Sequence, residues 1–252
     1  MAYSPESLAT AQKNATPAMK QYFEAKRQHP NAIVFFRMGD FFEMFYEDAV
    51  KVAAALELTL TSRSKDSAGA DIPMCGVPHH AADTYLNRLI KQGFRVAICD
   101  QVEDAKKAKG LVRRDVVRVV TPGTFTDAGY LDAREPAYVM ALSSNQNAAT
   151  PKTGIAIADL STGEFRVTEI ADSHMSRSVI DEIRAVSPKE LILSTELAET
   201  ADPELLPAGL TISAVESWTF GLDHALRTLT DHFSTSTLEG FGLTVEDNSS
   251  GI

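Results

Sequence analysis

Apolar positions recur along this chain with two different periods, and the changes of period mark its elements. Thr16-Pro17 reads as an N-cap followed by proline at the first helical position. Met19, Tyr22, Phe23 and Lys26 then recur at helical spacing until Pro30 ends the pattern. Ile33-Val34-Phe35-Phe36-Arg37-Met38 is a compact apolar run closed by Gly39-Asp40, which predicts a strand and a turn. Phe45, Ala49, Val52, Ala53 and Leu56 share one helical face, with Glu47, Asp48 and Lys51 on the other. The unit predicted here is strand, turn, helix. Thr61 to Asp71 is rich in Ser, Lys, Asp, Ala and Gly and predicts an exposed loop, closed by the stiffer Ile72-Pro73-Met74-Cys75-Gly76-Val77-Pro78. A second helix is predicted from about His80 to Gln92, stopped by Gly93, and Phe94 to Cys99 follows as a buried strand. Lys106-Lys107-Ala108-Lys109-Gly110 forms a basic loop, and Val112 to Val120 is a strand carrying Arg113, Arg114 and Arg118. Strands alternating with helices predict an α/β sheet.

Thr121-Pro122-Gly123-Thr124 breaks this pattern, and the turn-like stretch from Phe125 to Pro136 places a domain boundary there, dividing the chain into 1–127 and 128–252. The pattern then restarts. Ile155 to Leu160 and Glu164 to Thr168 are strands joined by Ser161-Thr162-Gly163, a hairpin signal. Ser173 to Val186 is helical up to Ser187-Pro188, Glu190 to Leu193 is a short strand, and Trp218 to Phe233 holds another helix. There is no internal repeat. Two α/β domains are the expected fold class.

Length supports two domains, since 252 residues exceed the usual single-domain size of about 100–200. With 44% hydrophobic and 23% charged residues the composition is that of an ordinary globular chain. No leader pattern opens the sequence and no run of about 20 apolar residues follows, so a cytoplasmic protein without membrane attachment is expected. Cys75 and Cys99 sit in apolar settings and read as small core hydrophobes. Cys75, His79 and His80 lack a second cysteine pair and enclose Pro78, which argues against a zinc site. The net charge of −10 argues against nucleic acid until it is divided. Residues 1–127 carry 17 Lys+Arg against 15 Asp+Glu, net +2, and residues 128–252 carry 7 against 19, net −12. Phosphate contact is electrostatically plausible in the first half alone; the second suits protein contacts.

Phe35-Phe36-Arg37-Met38-Gly39-Asp40-Phe41-Phe42-Glu43-Met44-Phe45 resembles the wedge motif of the MutS family of DNA mismatch recognition proteins, whose Phe-x-Glu element matches Phe41 and Glu43. The resemblance continues through Thr59-Leu60-Thr61 with Arg63, Ile72 to Ala81, Val96 to Gln101, and Arg118 to Thr124. In the second half it rests mainly on Asp159 to Phe165 and Leu238 to Gly242. The residues alone favour a reading in which Phe35, Phe36, Phe41, Phe42 and Phe45 are all core and Glu43 is a solvated surface residue. The resemblance reverses this for Phe41 and Glu43.

The resemblance implies a mixed-sheet mismatch-binding domain followed by a ribonuclease H-like connector domain. It implies mismatched double-stranded DNA as ligand, with Phe41, Glu43, Arg63, Met74 and His79 as DNA-facing residues; Lys106, Lys107, Lys109, Arg113 and Arg114 are weaker candidates for phosphate contact. An aromatic on the turn after a strand can slide between base pairs at a cost of a few kcal/mol of unstacking, and a mismatched step is already badly stacked. Discrimination then comes from deformability more than from base-edge readout. A carboxyl gains nothing from phosphate, but near phosphates its protonated form is favoured, which adds a donor toward an exposed base edge.

In the family the connector engages the MutL partner and relays the nucleotide state of a C-terminal ATPase, which holds ATP and magnesium and closes a homodimeric ring. That ATPase needs a Gly-Lys-Ser/Thr phosphate loop, and this chain has no Gly-Lys dipeptide. The expectation is therefore an N-terminal fragment that is not itself an ATPase and carries no cofactor. Two rival readings are a protein-docking module, favoured by the acidic second half, and a ribonuclease H-like nuclease. The nuclease would need Asp159, Glu164 and Glu190 to converge on two cations about 4 Å apart.

Overall fold

The structure, a computed structural model, describes residues 15–65, 69, 71–103, 110–125, 136–145 and 150–245, with backbone alone at 63, 64 and 145. Contacts divide the chain into two compact units that meet between Pro122 and Gly123. Each unit is an α/β domain built on its own mixed sheet.

In the first unit α1 spans Pro17–Gln28, its N-terminus capped by Thr16 Oγ1, which accepts from the Met19 N–H at 3.4 Å. β1 (Ile33–Met38) turns through Gly39-Asp40 directly into a second strand, β2 (Phe41–Phe45), before α2 (Tyr46–Leu56) begins. The expected strand-turn-helix is therefore a hairpin followed by a helix. Five residues after a two-residue turn are enough for a strand once both neighbours offer backbone partners, and β2 is bonded to β1 on one side and β4 on the other. The expected loop after Thr61 likewise contains a strand, β3 (Thr61–Lys65), paired with β4 (Asp71–Pro78). A 3-10 turn at His79–Ala81 leads into α3 (Ala82–Lys91), and β5 (Val96–Gln101) and β6 (Arg114–Val120) complete the sheet. Its order is β3-β4-β2-β1-β5-β6, antiparallel except where β5 runs parallel to β1.

One sheet face packs on α1, where Tyr22, Phe23 and Ala25 meet Val34, Phe36, Phe45, Met74 and Cys99. On the opposite face Cys75 Sγ donates to Ala49 O of α2. Burial pushes both thiols, Cys75 and Cys99, up to about 12, which leaves them protonated and unreactive. Asp48, expected on the solvent side of α2, is instead buried. Its carboxylate accepts from Lys26 Nζ at 2.7 Å, Val34 N at 3.0 Å and Tyr22 Oη at 3.3 Å, joining α1, β1 and α2.

The second unit opens with β7 (Tyr138–Asn145), β8 (Lys152–Asp159) and β9 (Glu164–Ile170), followed by α4 (Arg177–Val186), β10 (Glu190–Ser194), α5 (Thr195–Thr200), β11 (Thr211–Val215) and α6 (Leu222–Phe233). The sheet order is β11-β10-β7-β8-β9, an antiparallel meander extended by two parallel strands. Met140, Leu142, Ile155, Ile157, Leu191 and Leu193 pack against Val179, Ile180 and Ile183 of α4. β7, α5 and β11 are not marked by the apolar pattern.

Gly123 closes this unit at its start: its N–H donates to Glu190 Oε2 at 3.1 Å, and a Cβ there would overlap Val139 and lie 3.0 Å from Glu190 Oε2. Gly123→Ala should therefore destabilise the second unit by about 1–3 kcal/mol, as overpacking does. The measurement is the denaturant midpoint; an unchanged midpoint would show that Val139 has room to move.

Candidate nucleic-acid interface

Directly opposed residues on neighbouring antiparallel strands share a sheet face. Register therefore places Phe45 beside Met74, Glu43 between Phe36 and Gly76, and Phe41 between Met38 and Pro78, all on the face that α1 covers. Phe45 lies under α1, its ring centroid 5.2 Å from that of Tyr22. Phe41 is four residues away along the strand, about 13 Å at the usual rise. There Phe41 is 46% exposed although its neighbour Phe42, on the other face, is only 4% exposed.

Glu43, half-buried, stands between the two regions. Across from it Gly76 offers no side chain, so a Cβ built there would lie 3.6 Å from Glu43 Cγ and 3.9 Å from Phe41 Cδ1. The Phe41 ring and the Glu43 side chain thus both border the bare backbone at Gly76. This brings together the two residues singled out from the sequence, a ring open to solvent and an acid beside it.

The other candidates are placed differently. Met74, expected to face DNA, is 7% exposed and belongs to the core under α1, because its strand position pairs with Phe45 rather than Phe41. His79 is half-exposed, but its ring lies 5.3 Å from Phe42, on the face opposite Phe41. Arg63 falls on β3 with its side chain outside the described residues, and Lys106, Lys107 and Lys109 lie outside them altogether. Arg113 is exposed and pairs with Asp115 at 3.1 Å. Arg114 is committed to the fold: Nε donates to Arg37 O at 2.5 Å, Nη1 donates to Val112 O at 2.8 Å, and the guanidinium lies over the Phe36 ring.

The three carboxylates of the nuclease reading do not converge. Asp159 caps its own turn, accepting from Ser161 Oγ at 2.6 Å and Ser161 N at 2.8 Å, and the hydroxyl bond above all holds its carboxyl below the usual range. Glu164 accepts from Tyr138 Oη at 3.1 Å and pairs with Arg166. Glu190 accepts from Ser213 Oγ and Gly123 N. Register aligns Asp159 with Tyr138 and Glu164, and Glu190 with Val139, so the sheet itself separates Glu190 from the other two.

Fold and site together define a two-domain α/β chain whose first sheet displays an exposed aromatic beside a half-buried acid. Residues 16–129 match the family model described as MutS domain I, and residues 137–252 match MutS domain II. Among curated relatives, the DNA mismatch repair protein MutS of Methanococcoides burtonii is 44% identical over 90% of this chain and 25% of its own length. The protein of the same name from Desulfatibacillum aliphaticivorans is 46% identical, again over 90% of this chain and 25% of its own. The chain belongs to the MutS family. It spans about a quarter of the length of the curated relatives it matches.

Proposed function

We propose that this chain is the DNA-reading part of a longer mismatch repair sensor, in which Phe41 enters the mismatched base step and Glu43 bonds the edge of a displaced base. The observation that carries this reading is the exposed Phe41 ring two residues along β2 from half-buried Glu43, on the same sheet face and beside Gly76. Apolar wedges enter base steps by partial unstacking, and a weakened step opens at lower cost. The acidic second unit takes the protein-facing role: it docks the MutL partner and relays the nucleotide state of an ATPase carried elsewhere in the sensor, whose homodimer holds the first unit against DNA.

Two titrations test the reading. The full-length sensor should bind a mismatched duplex more tightly than a perfect one, and equal affinities would overturn it. The isolated second unit should show no duplex binding at a salt concentration where the sensor binds, because its strong negative charge repels phosphate. Binding comparable to that of the first unit would move the DNA-reading surface to the connector.

A further inference from the structure

The turn that delivers Phe41 is clamped from two sides. Arg37, on β1, folds its side chain back so that Nε donates to Gly39 O at 2.5 Å, while the guanidinium carbon sits 5.7 Å from the centre of the Phe42 ring. Nη1 lies 3.7 Å from Asp100 Oδ1 on β5. From the β4 side the His79 N–H donates to Asp40 O at 2.8 Å, and His79 Nε2 lies 3.9 Å from Asp100 Oδ2. Both turn carbonyls are thereby held, with Gly39 in the left-handed region at φ +60, which glycine adopts without a Cβ penalty. The Arg37 backbone is held as well, its carbonyl accepting from Arg114 Nε. Phe41 is the next residue after the clamped pair.

We propose that Arg37 is a positioning residue for Phe41: it fixes the β1–β2 turn in advance, so that the exposed ring meets DNA already ordered. The inference rests on the wedge reading. Hairpin tips are where backbone freedom concentrates, and ordering one on binding subtracts from affinity. An arginine beside a DNA-reading residue would ordinarily be assigned to phosphate. Here the side chain is only 17% exposed and its guanidinium is turned to Gly39 O, Phe42 and Asp100. Lysine cannot reproduce the arrangement, because a single ammonium offers neither the Nε donor nor a planar face for the ring.

The test uses the full-length sensor with Arg37→Lys and Arg37→Ala, each alone and combined with Phe41→Ala, titrated on mismatched and perfect duplexes at two salt concentrations, with a melting curve for every variant. Both Arg37 variants should lose about three- to tenfold in mismatch affinity and retain perfect-duplex affinity with its salt dependence. In the Phe41→Ala background neither should add a further loss, which a purely structural or phosphate-binding arginine would not satisfy. Losses that add to that of Phe41→Ala would overturn the proposal, as would equal losses on both duplexes with a shallower salt slope and rescue by lysine. So would affinity losses that follow a lowered melting temperature on both duplexes. Phe41→Ala without effect on mismatch affinity is a separate outcome that overturns the wedge reading itself and removes the Arg37 role with it.

Discussion

Phe41→Ala in the full-length sensor should lower affinity for a mismatched duplex about ten- to hundredfold, since stacking of an aromatic on a base is worth about 1–3 kcal/mol. Perfect-duplex affinity should barely change, because an unopened step never receives the ring. The melting temperature should also hold: Phe41 is already half in solvent, and its truncation leaves no closed cavity. Phe42 supplies the control from the same dipeptide. It is buried against Phe35 at 5.9 Å and His79 at 5.3 Å, so Phe42→Ala should cost about 3–5 kcal/mol of stability. Fluorescence anisotropy with paired duplexes, together with thermal melts, reads both variants. A large fall in melting temperature for Phe41→Ala, with binding lost in proportion to unfolding, would make Phe41 a core residue and end the wedge assignment.

The apolar pattern made most strands and helices legible because they are long enough to complete a period, and several are bounded by glycine or proline, as α1 is by Pro30 and α3 by Gly93. It missed β2 because Phe41 to Phe45 runs straight into α2, and a five-residue strand has no period long enough to separate from a helical face. β3 was hidden by composition, since Thr61-Ser62-Arg63-Ser64-Lys65 is polar and is a strand only through its pairing with β4. The exposed wedge residue could not be found from pattern alone. Phe41 and Phe45 share a face and a residue type; what distinguishes them is that Phe45 packs on Tyr22 of α1 and Phe41 does not join that core. Arg37 and Asp100 were missed for a related reason, being 63 positions apart and joined only by the parallel pairing of β1 and β5.

Asp48 is where the sequence reading and the fold differ most in energy, and replacing it should weaken the first unit more than any surface change. Helical periodicity assigned it to solvent with Glu47 and Lys51, and those two do form an exposed pair. Asp48 is turned instead toward α1, where it is 2% exposed and binds three donors, Tyr22 and Lys26 of α1 and Val34 of β1. Asp48→Ala would leave the Val34 N–H without that acceptor in the core, leave the Tyr22 hydroxyl with Phe45 O in place of two acceptors, and strip Lys26 of its counter-charge. Burial, with Asp48 beside it, raises the Tyr22 pKa well above the ordinary value, so Tyr22 remains a hydroxyl donor. Removing one member of a buried charged network costs about 3–5 kcal/mol. Asp48→Asn should cost less, because its amide oxygen can still accept from Val34 N while its NH2 group meets Lys26 donor to donor. Chemical denaturation of the first unit should rank wild type, Asp48→Asn and Asp48→Ala in falling order of stability. Two variants indistinguishable from wild type would mean that Asp48 takes up the solvent-facing position its helix pattern predicts, and that the junction of α1, β1 and α2 is held by the Tyr22, Phe36 and Phe45 rings alone.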